Sequence, residues 1–199
     1  MILSFARLSS TYHSTFSKFV AGLVAAVVIL AGTVNPSSAQ VAMDDPVYNE
    51  ATKSYFTLVK VGPIEKLGSP SRSWDEMNGI AMGMNYKGVR GRLAKVDSKQ
   101  VHDLLREHFA SKIKTRAWIG LRYFCNYSAL MWNDGTRLNR SDFQIWSPTW
   151  NQGTDVQCGG PAGYYPAYYR EPKEGFLWAL TGSKKHYNEM FVEFVTDGE

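Results

Sequence analysis

Cysteine and histidine are scarce: the 199 residues hold two of the first and four of the second. Two cysteines exclude a scaffold stapled by several disulfides and leave one intramolecular pairing, Cys125 with Cys158, or else two free buried thiols. His102 and His108 have no further His or Cys nearby in sequence. They are read as exposed polar residues flanking an amphipathic helix, not as metal ligands, and no cofactor motif is present. Charge of one sign is also lacking, with a formal net charge of +4 that falls to +2 once Arg7 and Lys18 are set aside. So mild a balance excludes a nucleic-acid interface, which needs a concentrated basic face. No apolar run reaches the roughly 20 residues that span a bilayer. Internal repeats and low-complexity tracts are absent.

What is there begins with an address. Arg7 and Lys18 precede the uncharged run Phe19 to Ala31, and small residues follow at Ser37 and Ala39. Basic, apolar and small-residue regions in that order predict a secretory signal over residues 1–39, cleaved after Ala39. An uncleaved membrane anchor is the alternative. The expected destination is secreted or periplasmic, an oxidising compartment in which Cys125–Cys158 would be bridged. Residues 40–53 read as a polar linker or loosely held arm. Residues 54–199 fit one domain, large enough to bury a core without metal or disulfide staples.

That domain is organised around Ala117 to Thr136. Trp118, Ile119, Leu121, Tyr123 and Phe124 predict a buried strand, broken at Cys125–Ser128. Leu130-Met131-Trp132 begins a second strand that stops at Asn133-Asp134-Gly135, a tight-turn signal. Trp118 and Trp132 are expected side by side in the interior. Upstream, Tyr55 to Val61 predicts a strand, and Ser73-Trp74-Asp75-Glu76 matches a capping box opening a helix from Trp74 to about Met84. Asp97 and Gln100 suggest a second box, with a helix over Ser98 to Ala110 burying Val101, Leu104, Leu105 and Phe109. Downstream, Arg137 to Gly163 is a long loop rich in Gly, Pro and Trp, and long ordered loops are usually functional. Strands are expected near Ala167–Arg170, Gly175–Thr181 and Tyr187–Val195. The last should face Met190, Val192 and Phe194 one way and Phe191, Glu193 and Val195 the other.

Taken in order, five pieces resemble the C-type lectin-like domain: Ser73-Trp74-Asp75-Glu76, Gly91 to Ser98, Ala117-Trp118-Ile119-Gly120-Leu121, Trp132-Asn133-Asp134-Gly135-Thr136 and Phe191-Val192-Glu193-Phe194. The resemblance covers about Ser54 to Val195. It implies an α+β fold whose termini meet in one antiparallel sheet, with two flanking helices and a long loop as the binding surface. The family's usual disulfide between helix one and the last strand is missing, since those places hold Ala81 or Met82 and about Glu193.

Calcium-dependent members draw oxygen ligands from Glu-Pro-Asn or Gln-Pro-Asp in the long loop and from Trp-Asn-Asp on the following strand, a donor set suited to a hard cation. Here those places read Ser147-Pro148-Thr149 and Trp178-Ala179-Leu180. The resemblance therefore implies a variant without the usual calcium site; Asn151, Gln152 and Asp155 are the only unorthodox oxygen set. The expected function is an exported, non-enzymatic binding module that holds a glycan or protein through Trp150, Asn151, Gln152, Asp155, Tyr164 and Tyr165, using flat rings with polar tips as contact surfaces. The alternatives are a structural component of a bacterial envelope, or an oxidase related to formylglycine-generating enzymes that would rely on Cys125 or Cys158 as a free thiol.

Overall fold

A computed structural model describes residues 40–62, 72–149, 156, 158 and 163–196, all within the compact unit Pro36–Glu199. The signal expected over residues 1–39 lies outside the described residues. Among those described, no helix is long and apolar enough to cross a membrane.

Two hydrophobic strands from the ends of the domain form its spine. β3 (Ser54–Val61) pairs antiparallel with β10 (Glu189–Val195), in register from Lys60 opposite Glu189 to Ser54 opposite Val195. The arm expected at residues 40–53 is instead part of this sheet. β1 (Val41–Met43) and β2 (Val47–Asn49) both pair antiparallel with β3. Their side chains are largely exposed, so neither strand shows the apolar pattern that would have revealed it. Backbone pairing, which needs no apolar side chain, holds them.

β10 then changes partner along its length. Its first residues run parallel to β6 (Ala117–Phe124), Glu189 beside Ala117, while Val192–Phe194 pair antiparallel with β5 (Val89–Leu93). The sheet is thus mixed, not purely antiparallel. β4 (Asn85–Tyr86) pairs with β5, β7 (Ala129–Trp132) and β8 (Tyr164–Tyr169) flank β6, and β9 (Trp178–Leu180) extends from β8.

The helices cover the two faces. α1 (Trp74–Gly83) opens on the expected capping box: the Glu76 amide donates to Ser73 Oγ and the Ser73 amide donates to the Glu76 carboxylate at 2.8 Å. That second bond holds the Glu76 carboxyl below its usual range. α1 lays Trp74, Met77 and Ala81 against Val59, Leu93, Trp118, Met190, Val192 and Phe194. α2 (Lys99–Phe109) lays Val101, Leu105 and Phe109 against Phe56, Leu58, Ile119, Leu121 and Phe191 on the opposite face. The alternation expected of β10 is what divides these two sets. α2 is capped by Ser98, whose Oγ accepts from the Val101 amide, rather than by Asp97, which pairs with Lys95 at 3.5 Å.

Trp118 and Trp132 are both buried, but in different halves of the core, so they are not neighbours. Register explains it: Trp132 pairs with Leu121 and shares its face, and residues 118 and 121, three apart on a strand, point opposite ways.

His102 is likewise not an exposed flank. It is 3% exposed, its Nδ1 lies 2.9 Å from the Tyr169 hydroxyl, and it sits among the rings of Phe143, Tyr169 and Phe176. It falls three and seven residues before Leu105 and Phe109, on the stripe that faces the sheet. Burial first, and then Arg106, holds its imidazole below the usual value. The sign follows from linkage: below about pH 6.5 an unfolded chain takes up a proton that the folded one resists. Stability from this group is whole above that pH and is lost as pH falls from there toward the depressed value. Urea midpoints measured between pH 7.5 and pH 5 (conditions of roughly this span) should decline, and His102→Gln should flatten that decline. An unchanged slope in the variant would place the titration elsewhere.

Candidate functional site

The long loop leaves the fold after β7 and re-enters at a stem where the start of β8 pairs with the end of β6. Phe124 pairs with Tyr164 and Tyr123 with Tyr165, the Cys125 amide donates to the Gly163 carbonyl at 2.9 Å, and the Cys125–Cys158 disulfide closes the loop. Hence no free thiol exists, and the oxidase alternative loses its candidate group.

On the loop's first limb, the chain at Ile145–Ser147 docks on β9. The Ser147 amide donates to the Trp178 carbonyl at 2.7 Å and the Trp178 amide to the Ile145 carbonyl at 2.8 Å. Trp146 meets Trp178 edge-on, ring centres 5.5 Å apart, and packs partly buried against the core. Trp178 in turn meets Trp132, Phe143 and Tyr169.

At the place of the family's loop ligands, Ser147 is buried and its hydroxyl lies 2.9 Å from that of Thr149. The Arg170 guanidinium donates to both hydroxyls, at 2.7 Å to Ser147. Its remaining edge is bound by Glu174, 2.6 Å away. On the neighbouring strand, Ala179 and Leu180 are buried and offer no side-chain oxygen. Arg170 was not singled out in the sequence. The signal available was Arg170 and Glu174, four apart around Pro172, which the structure resolves as a short 3-10 turn closed by a bidentate ion pair.

Of the six residues expected to hold a ligand, Trp150, Asn151, Gln152 and Asp155 lie outside the described residues. Tyr164 and Tyr165 stand at the stem, both half-buried. As neighbours on β8 they face opposite ways: Tyr165 packs against the α2 side of the core, whereas Tyr164 lies near Trp74 and Phe124 and donates its hydroxyl to the Asp75 carboxylate. Burial and the Asp75 charge push the Tyr164 phenol up, so it stays protonated and keeps donating. Tyr168 and Tyr169, further along β8, are buried and present no aromatic surface.

Among the described residues, no group of three or more His, Cys, Asp or Glu side chains is placed to hold a metal ion.

Comparisons with known proteins agree with this geometry. Residues 87–167 match the family described as Lectin C-type domain. No curated protein matches the sequence. Among solved structures, the chain is similar to the C-type lectin CEL-I from Cucumaria echinata, at 12% identity and a TM-score of 0.50, over 71% of this chain and 89% of that one. It is similar to the protein of the SPL-1–GlcNAc complex at 16% identity and a TM-score of 0.54, over 73% and 90%. The mouse scavenger receptor C-type lectin carbohydrate-recognition domain aligns at 15% identity and a TM-score of 0.51, over 77% and 99%. At such identities the likeness establishes the fold.

Proposed function

From the premise that this chain carries a C-type lectin-like domain, we propose that it is an exported, non-catalytic binding module that recognises a glycan or protein through its long loop without calcium. The observation that carries the calcium part is Arg170. Its guanidinium hydrogen-bonds the Ser147 and Thr149 hydroxyls at the place where calcium-dependent members supply carboxylate or amide oxygens. The guanidinium's charge is answered by Glu174, but its N–H groups already occupy both hydroxyls, so that place offers a cation no free carboxylate or amide oxygen. The apolar Ala179 and Leu180 remove the second half of the ligand set.

Support for a carbohydrate comes from the company the fold keeps: one similar structure is a GlcNAc complex and another a carbohydrate-recognition domain. Support for export comes from the disulfide, a bond that persists in oxidising compartments.

The test is a glycan and protein-partner screen run with millimolar calcium and again with EDTA, alongside thermal melts of the full chain in both buffers. Binding and melting temperature should be the same in each. A ligand bound only to the folded state raises its melting temperature. A calcium-induced rise, or binding abolished by EDTA, would therefore overturn the calcium-free reading. In the same screen, Tyr165→Ala should weaken whatever binds through the loop.

A further inference from the structure

A second concavity lies beside the loop stem, a cleft of about 300 Å³ between α1, β5, β6 and the turn after β7. Arg90, Arg92 and Arg122 line it together with Asn78, Asn133 and Asp134. Two of these charges are answered within the fold. Arg92 Nε pairs with Glu193 at 3.0 Å, and Asp134 pairs with Lys95 Nζ at 2.9 Å. The other two arginines are not. Among the described residues neither Arg90 nor Arg122 has a carboxylate at ion-pair distance, and Arg122 Nε is buried with no hydrogen-bond partner.

Arg122 is the unusual group. Its guanidinium lies 4.1 Å from the centre of the Trp74 ring, 4.7 Å from Phe124 and 5.3 Å from Tyr164. Such contacts offset part of the cost of burying the charge, but they engage the faces of the guanidinium and leave its buried Nε without an acceptor in the fold. Burial pulls its pKa down, against an opposing pull from Asp75, which already accepts from Tyr164. A planar fork held by aromatic rings is the geometry that recognises a carboxylate or sulfate through two parallel hydrogen bonds. Asn78 and Asn133, hydrogen-bonded to each other at 3.3 Å, also line the cleft, and amides suit hydroxyl groups.

We propose that this cleft binds the carboxylate or sulfate of an acidic sugar, with Arg122 and Arg90 as the anion-recognising residues and the Asn78–Asn133 pair facing the ring hydroxyls. The volume is at the small end for a ligand pocket and suits a single sugar unit. Contact between Arg122 and Tyr164 sets the cleft one side chain from the loop stem, so a longer chain held at the loop can seat an acidic unit here. The inference deepens the glycan reading above and rests on it only for the choice of sugar over peptide.

The experiment titrates the full chain with a sulfated, uronate-containing heparin tetrasaccharide, and separately with the same sugar desulfated and carboxyl-reduced. Arg90→Gln, Arg122→Gln and Arg122→Lys follow. The acidic sugar should bind roughly tenfold or more tightly than the neutralised one, and each Gln variant should lose roughly tenfold or more. Arg122→Lys should recover only part of the loss, because an ammonium lacks the planar fork. Arg90 is exposed, so its variant keeps the test decisive even if Arg122→Gln fails to fold. Equal binding of the two sugars, no loss in folded Arg90→Gln, or a polyglutamate peptide bound as tightly as the sugar would each overturn the proposal. If neutral glycans bind in a Tyr165-dependent way while the acidic sugar ignores both arginines, only this inference falls. The reverse pattern removes the loop reading and leaves the cleft.

Discussion

Gly120→Ala should destabilise the domain by about 3 kcal/mol or more, the upper part of the range for forcing atoms into a packed site. The reason is the closeness of what surrounds it. A Cβ on residue 120 would lie 2.3 Å from Asn133 Oδ1 and 2.7 Å from the Leu93 carbonyl oxygen. Neither can withdraw cheaply. The Leu93 carbonyl belongs to β5, and Asn133 is held by hydrogen bonds to that carbonyl and to Asn78. The backbone here is also tied on both sides, with the Gly120 amide donating to Ala94 and its carbonyl accepting from Asn133. Urea denaturation read by tryptophan fluorescence would measure the effect. Gly79→Ala is the matched control: it sits exposed within α1 with nothing near its missing Cβ, and should be neutral or stabilising by up to about 1 kcal/mol. Similar midpoints for the two variants would show that residue 120 is not closely packed.

The second large effect is expected from the disulfide. Replacing Cys125 and Cys158 together by serine frees a closure across 33 positions of sequence. On the chain-entropy account that costs roughly 3–4 kcal/mol, through the unfolded ensemble more than through lost native contacts. Reductant added to the unaltered protein should reproduce most of the drop in urea midpoint. A binding readout adds information that stability alone lacks. Because the bridge and the Cys125–Gly163 hydrogen bond together define the loop stem, loop-dependent binding should weaken even at temperatures where the variant is fully folded. Affinity unchanged in a destabilised variant would mean that the loop's shape does not depend on the bridge.

Several parts of the fold could be read directly along the chain. The capping box at Ser73–Glu76 involves residues three apart and forms as its spacing requires. The alternation in β10 appears as two opposed apolar faces, and the apolar block at Ala117–Phe124 forms the strand expected of it. The pairing of Cys125 with Cys158 required no geometry, since only one intramolecular bridge was available.

Other features were hidden for identifiable reasons. β1 and β2 are held by backbone hydrogen bonds to β3, and their exposed side chains leave no periodic trace. His102 lies on the edge of an amphipathic stripe, where a polar residue normally meets water; only the arrival of Tyr169 from β8 and Phe176 from the bend before β9 encloses it. Arg122 resembles an ordinary strand arginine until Trp74 from α1 and Tyr164 from β8 close around it.

The amino-acid order alone determined the type of fold, the positions of its helices and principal strands, the one intramolecular bridge that two cysteines allow, and the absence of the usual oxygen ligands at Ser147-Pro148-Thr149 and Trp178-Ala179-Leu180. The tertiary structure decided which tryptophan faces which half of the core, that Arg170 engages the Ser147 and Thr149 hydroxyls, and that two arginines line one cleft with no carboxylate at ion-pair distance among the described residues. Helix caps and strand alternation depend on residues a few positions apart. Faces, clefts and unanswered charges depend on the register between segments far apart in the chain, and register exists only once those segments pair.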